Sequence, residues 1–334
     1  MNDHLLSEKV LIEYAKGETL IDRLRGLLDQ QKDNWDLAAK NYDSLNSLIV
    51  KELLVDETLI KLQFNPERIK STMADVKVEF TAEQCILCEN NLPDQQRFIK
   101  YYKEYNFLVN PYPIFKEHFT IVKSKHAPQS IQSYLNDLLL ISRDVGERYL
   151  TFYNGPKCGA SVPYHLHFQM LNKNVLPIFE QLGKLSARTI LLSINKKKIS
   201  LKSVELTKRI LFTIESNDAI EIMNCFSVIV NTLKSIGSYS DEPMMNLICV
   251  YDNKKWTLVI FLRKKHRPDC YFAEGDKRIV VSPAAVDMSG LIVLPREEDI
   301  KKLTVEKILE LYREVGFSKE YNEYLMSKLK NFYS

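Results

Sequence analysis

Apolar positions along this chain change their period several times, and the changes divide it. Over the first part they recur at three- and four-residue spacings. Ile12, Ala15, Leu20, Leu24, Leu27 and Leu28 form one run and residues from Trp35 to Leu54 a second, so 5–55 reads as helical, with breaks at Gly17-Glu18 and Asp33-Asn34. From Thr58 the period becomes two. Leu59, Lys61 and Gln63 alternate with Ile60, Leu62 and Phe64, which predicts a strand ending at Asn65-Pro66. Phe119-Thr120-Ile121-Val122 and Arg148 to Tyr153 read as further strands. Between them Ile131, Leu135, Leu138, Leu139, Ser142 and Val145 return to helical spacing after Pro128, predicting an amphipathic helix that covers one sheet face.

The second half repeats that order without repeating the residues. Lys196-Lys197-Lys198 marks a solvated turn, and Asp218 to Ile236 is helical with Gly237 as its stop. Strands at Met245 to Tyr251 and Trp256 to Arg263 follow, joined through Asp252-Asn253-Lys254-Lys255. Strands near Arg278 to Ser282 and Gly290 to Leu294 flank Pro283 to Ser289, and helices from Val305 and Lys319 close the chain. An α+β chain of antiparallel sheets with packed helices is expected. Its divisions are a helical N-terminal extension (1–57), a first half (58–185) and a second half (186–334).

Composition adds limits. With 334 residues, 45% of them hydrophobic, the chain can bury a sizeable core. Of six cysteines only Cys85 and Cys88 lie close together, which is no disulfide framework and points to a reducing compartment. The N-terminus lacks a basic start and a continuous apolar run, and no stretch approaches about eighteen apolar residues, so a cytoplasmic protein is expected. A net charge of +3 is too slight to argue for nucleic acid or a membrane as partner.

One stretch concentrates the chemistry. In a strand, His165, His167 and Gln169 share one face while Leu166, Phe168 and Met170 share the other. Two imidazoles and an amide so placed can bind a metal, attack phosphorus or grip phosphate oxygens; a satisfied polar pair on a half-buried sheet is the plain alternative. The lead-in, Asn154-Gly155-Pro156-Lys157-Cys158-Gly159-Ala160-Ser161, suits a loop whose backbone amides approach an anion. Cys85-Ile86-Leu87-Cys88 has the spacing of a metal knuckle, with a redox pair as the rival, and a knuckle needs two more ligands. Arg263, Lys265 and Arg267 gather cations at a strand end, either as a solvated turn or as a phosphate-binding patch.

Asn-Gly-Pro-x-x-Gly-x-Ser followed by His-x-His-x-Gln resembles the signature of the transferase branch of the histidine-triad (HIT-like) superfamily. That branch includes galactose-1-phosphate uridylyltransferase, the diadenosine tetraphosphate phosphorylases and the GDP-sugar phosphorylases. The resemblance implies two HIT-like halves in one chain, the second without the motif. It also implies a nucleotidyltransferase or phosphorylase acting through a nucleotidylated histidine, with His167 as nucleophile and Gln169, Ser161 and the Gly159 amides on the phosphate oxygens. The implied donor is a nucleotide sugar or dinucleoside polyphosphate, and the acceptor phosphate or a sugar phosphate.

Carried over residue by residue, a structural zinc would lie on Cys85, Cys88, His126 and His165, and substrate contacts would fall to Asn154, Gly155, Gly159, Arg68, Ser71 and His118. His118 has a structural hydrogen bond as its equal alternative, and for Arg68 a plain surface arginine is the favoured alternative. The hydrolase relatives carry a third histidine where Gln169 stands, which favours transfer over hydrolysis. A nucleotide hydrolase and a zinc-binding protein without turnover are the competing readings. The sequence departs from the uridylyltransferases at Tyr164, where they have proline, and in its helical N-terminus, so substrate identity stays open.

Overall fold

Runs of period two become strands wherever alternate side chains find a layer to bury against on each side. The computed structural model describes residues 3–56, 58–74, 81–186, 189–196, 198–237 and 241–333. In chain order the strands are β1 (Ile49–Val55), β2 (Thr58–Phe64), β3 (Phe98–Tyr101), β4 (Tyr105–Val109), β5 (His118–Lys123), β6 (Tyr149–Asn154) and β7 (His167–Asn172). The second half adds β8 (Ile190–Lys196), β9 (Ile199–Leu206), β10 (Arg209–Ser216), β11 (Met245–Asp252), β12 (Lys255–Leu262) and β13 (Leu291–Leu294).

Ten of these form one antiparallel sheet in the order β3-β4-β5-β7-β6-β11-β12-β10-β9-β8. The same unit occurs twice. Three strands, a helix (Leu135–Val145 in one, Ala219–Gly237 in the other) and two strands make each half, and the halves meet where β6 pairs with β11 from Asn154–Asn246 to Thr151–Cys249. Layers on both faces complete the fold. One face carries the helices, in a core that includes Leu24, Leu138, Phe168, Ile229 and Leu325. The other carries a three-stranded sheet, β1-β2-β13, whose Ile60, Leu62 and Ile292 pack against Phe152 and Phe261. The helix Ala219–Gly237 is, among the described residues, the one long and apolar enough to cross a membrane, yet its Ile222, Phe226, Ile229 and Leu233 lie in the first core.

Three expectations are corrected. The helical reading of Trp35 to Leu54 holds only over Asp36–Asp43; after a turn at Ser44–Ser47 the chain extends as β1, because β2 offers it a full ladder from Ile49–Phe64 to Val55–Thr58. The predicted strand at Arg278 to Ser282 is an extended segment outside both sheets, with the Val280 N–H given to Asp299 instead of to a neighbouring strand. The helix expected after Pro128 begins only at Leu135. Of the predicted lysine turn, Lys197 lies outside the described residues.

Candidate active site

The site lies where two neighbouring strands part. β6 and β7 pair from Tyr149–Asn172 to Phe152–Gln169; beyond that rung β6 continues along β11 while β7 stays on β5, with Val122 opposite His167. The missing rung between Asn154 and His167 is replaced by a side chain. Gln129 accepts from the His167 N–H at 2.8 Å and donates to the carbonyls of His167 (3.1 Å) and Asn154 (2.9 Å). Sequence reasoning missed Gln129, which sits in an irregular segment with no motif of its own. Glu242 braces its neighbours by accepting from Ser130 Oγ, the Ile131 N–H and the Tyr153 hydroxyl.

Alternation on the motif strand sorts the side chains as the period requires. Leu166, Phe168 and Met170 are fully buried in the helix-side core, and His167 and Gln169 face a cavity of about 390 Å³. His167 Nδ1 donates to the His165 carbonyl at 2.8 Å, which fixes the tautomer and leaves Nε2 as the atom carrying the lone pair. Burial lowers the pKa of this ring, against the opposing effect of that carbonyl, so the imidazole is neutral.

Gln169 is oriented by His118. The Ile114 N–H donates to His118 Nδ1 at 3.2 Å, so the proton is on Nε2 and goes to Gln169 Oε1 at 2.9 Å, turning the Gln169 amide N–H groups toward the cavity. Full burial first, then the Arg68 charge, hold the His118 pKa at about 3, so this ring does not charge near neutrality. His118 itself does not line the cavity.

The glycine loop is shaped by the second half of the chain. Gly159 has φ +95°, and a Cβ there would lie 2.6 Å from Ala284 Cβ; a Cβ on Gly155 would lie 2.9 Å from the Met245 carbonyl. Asn154 Oδ1 accepts from Asn246 Nδ2 (2.9 Å) and the Ala285 N–H (2.8 Å), so this motif residue ties the loop to the opposite wall. Ser161 opens on the cavity beside it.

Arg68 and Ser71 also line the cavity, with one Arg68 nitrogen donating to the Tyr112 carbonyl at 2.8 Å. The N-terminal helices contribute here too: Asn41 donates to the Pro111 carbonyl and the Tyr42 hydroxyl to the His118 carbonyl. Asp287, unremarked in the sequence, lies on the far wall. Burial pushes its pKa up to about 6, against N–H groups from Val293 and Ala284 and the Arg68 charge.

The cationic cluster is dispersed by the fold. Arg263 is 1% exposed and donates to Asn246 Oδ1 and to the carbonyls of Pro283, Lys265 and His266. Lys265 pairs with Asp269 and Glu314. Arg267 donates to Ser282 Oγ and to the carbonyls of Thr72 and Ala74. None of the three lines the cavity: the two guanidiniums are satisfied largely by main-chain carbonyls and the Lys265 ammonium by Asp269 and Glu314.

A second cluster adjoins the first. Cys85, Cys88, His126 and His165 bring their ligand atoms within 4.8 Å of one another. Cys85 Sγ lies 3.1 Å from His165 Nδ1, and Cys88 Sγ 3.4 Å from His126 Nδ1. His165 Nε2 donates to the Lys123 carbonyl at 2.8 Å, which leaves Nδ1 as a ligand atom. Burial and the neighbouring Cys85 push the Cys88 thiol up to about 12. The donor set, its convergence and the fixed tautomer fit a four-coordinate soft metal ion.

Two family models match successive parts of the chain: a domain of unknown function, DUF4922, over residues 27–172, and the GDPGP1-like C-terminal domain over residues 185–332. No curated protein matches by sequence. Among solved structures the chain is similar to yeast Ap4A phosphorylase Apa2, at 17% identity and a TM-score of 0.56, covering 84% of this chain and 97% of that one. The same enzyme in complex with Ap4A aligns at 17% identity and a TM-score of 0.55, over 87% and 97% of the two chains. Over most of its length the chain shares the fold of these Ap4A phosphorylase structures, and its second half matches the GDPGP1-like C-terminal domain.

Proposed function

We propose that this protein is a nucleotidyltransferase or phosphorylase that passes a nucleotidyl group through His167, from a nucleoside-diphosphate sugar or dinucleoside polyphosphate to phosphate or a sugar phosphate. The observation that carries this reading is the His167 Nδ1 contact to the His165 carbonyl at 2.8 Å, which commits the other nitrogen to the cavity. Attack of one phosphate on another is slow because both are anionic. A neutral imidazole removes one of those charges and splits the reaction in two.

In the first step the Nε2 lone pair bonds to the α-phosphorus while the bond to the departing phosphate oxygen breaks, its electron pair leaving with that oxygen. In the second an acceptor phosphate oxygen bonds to the same phosphorus and the N–P bond returns its pair to Nε2. The Gln169 amide, aimed by His118, Ser161 and the Gly159 main chain would hold the non-bridging oxygens as their charge redistributes. An amide at Gln169 cannot relay a proton to or from water as an imidazole can, which favours transfer over hydrolysis.

The test is incubation with ADP-, GDP- and UDP-sugars and dinucleoside polyphosphates without acceptor, followed by intact-protein mass spectrometry. An acid-labile nucleoside-monophosphate adduct, discharged by orthophosphate, is expected. No adduct from any donor removes the reading, and discharge by water at the same rate as by orthophosphate replaces it with a hydrolase.

Zinc is the ion proposed for Cys85, Cys88, His126 and His165, where it would supply a structural cross-link and no step of the transfer. Because His165 is two residues from His167, the ion would hold the motif strand to the Cys85–Cys88 segment. Purified protein should contain roughly one zinc per chain, and chelation should lower its melting temperature. A metal-free preparation with the melting temperature unchanged by chelator or added zinc argues against it.

A further inference from the structure

The cavity has a wall that the motif does not supply. Ser282 lines it, and the adjoining Pro283 and Ala284 press on the motif loop, Ala284 Cβ and the Pro283 carbonyl lying 2.6 and 3.4 Å from where a Gly159 Cβ would be. Ser282 is therefore beside the motif loop. Its hydroxyl oxygen accepts from Arg267 Nε at 3.1 Å and meets His266 Nε2 at 3.3 Å.

Both partners are themselves fixed. Arg267 donates from Nη2 to the Thr72 and Ala74 carbonyls at 2.9 and 2.8 Å, and its guanidinium lies 4.3 Å from the Tyr271 ring centroid. The His266 carbonyl receives Arg263 Nη2 at 2.9 Å. Burial first, then the charges of Arg267 and Arg263, hold the His266 pKa at about 4, so the ring is neutral at pH 7. A hydroxyl that accepts from a guanidinium keeps its own proton, which can turn from His266 Nε2 to an anion in the cavity.

We propose that Ser282, backed by Arg267 and His266, seats the phosphate on the far side of the scissile bond. This rests on the nucleotidyl-His167 reading. In-line displacement sends the departing phosphate away from Nε2 and brings the accepting phosphate in along the same line, so one subsite serves both. Arg267 gives the subsite its charge without touching the ligand, and Ser282 is the contact. The cationic cluster thus reaches phosphate through a serine that lies fifteen residues further along the chain.

Orthophosphate is titrated calorimetrically into the full chain, with and without a saturating nucleoside monophosphate drawn from AMP, GMP and UMP to fill the position next to His167. We expect saturable binding that weakens at least about tenfold in Ser282→Ala, with nucleoside-monophosphate affinity changed less than about twofold. Ser282→Thr, which keeps the hydroxyl, should stay within about threefold of the wild type, and matched melting temperatures control for folding. In the transfer assay, the orthophosphate concentration for half-maximal discharge of the adduct should rise by the same factor of about ten, and adduct formation should slow as well. Slowed formation with unchanged discharge would confine the serine to the departing phosphate and overturn a shared subsite.

Equal orthophosphate affinity in wild type and Ser282→Ala, no saturable binding in the wild type, or a parallel loss of nucleoside-monophosphate affinity also overturns the proposal. The absence of any adduct while Ser282-dependent phosphate binding persists would remove the transfer reading and leave the anion subsite standing.

Discussion

Replacing His167 by Asn is expected to abolish the nucleotidyl adduct and to lower turnover by about six orders of magnitude, the scale on which loss of a nucleophile is felt. The asparagine retains a donor for the His165 carbonyl and nearly the shape of the ring, so nucleoside-monophosphate binding and melting temperature should stay close to wild type. The two readouts together separate loss of a nucleophile from loss of a fold. The pH dependence gives a second check. Burial depresses the His167 pKa against the opposing pull of the His165 carbonyl, so the reactive neutral form extends to lower pH than in an exposed histidine. The acid limb of adduct formation should therefore be displaced to lower pH than an exposed histidine would give. A limb at the ordinary histidine position, or an adduct that survives His167→Asn, would remove this residue from the nucleophile's role.

The second large effect is on stability. Arg263→Met removes the donors from Asn246 Oδ1 and from three main-chain carbonyls in a site 1% exposed, and each acceptor left buried without a partner costs about 1–3 kcal/mol. Since relief comes from removing a desolvated guanidinium and from water entry, the net loss should be about 3–5 kcal/mol in urea denaturation. Lys265→Met, which breaks a half-exposed pair with Asp269 and Glu314, should cost no more than about 1 kcal/mol. Equal losses for the two variants would contradict the structural assignment of Arg263. Adduct formation should also slow in Arg263→Met, because Asn246 passes the effect on to Asn154 and the Cys158 carbonyl.

Arg263 also shows what a sequence can and cannot disclose. A run of Arg, Lys, His and Arg at a strand end has the same appearance whether its charges meet solvent, a ligand or the main chain. The burial of Arg263 among Asn246 Oδ1 and the Pro283 carbonyl depends on segments distant in the chain. Gln129 was invisible for a related reason: its role depends on β6 and β7 parting at Asn154 and His167, and a parting of strands leaves no periodicity to read. Asp287 and Ser282 likewise reach the cavity through tertiary packing alone.

The legible features were local. Strict alternation from Leu166 to Met170 sets which side chains face the cavity, and the close approach at Gly155 and Gly159 needs residues without a Cβ. The Cys-x-x-Cys spacing delivers one pair of the converging ligands. Where propensity misled, at Ile49 to Val55, a neighbouring strand outweighed an apolar spacing that suited a helix equally well.

The seam between β6 and β11 has a bearing on how the chain can be handled. A fragment ending near residue 185 would contain His118, His167 and the Cys85, Cys88, His126 and His165 set, yet it would leave the β6 edge from Thr151 to Asn154 bare and take away the Asn246 and Ala285 groups that hold Asn154. An uncovered strand edge beside apolar surface is a template for self-association. The motif and the half that lacks it are thus a single unit of expression, and a truncated reagent would report on aggregation before it reported on chemistry.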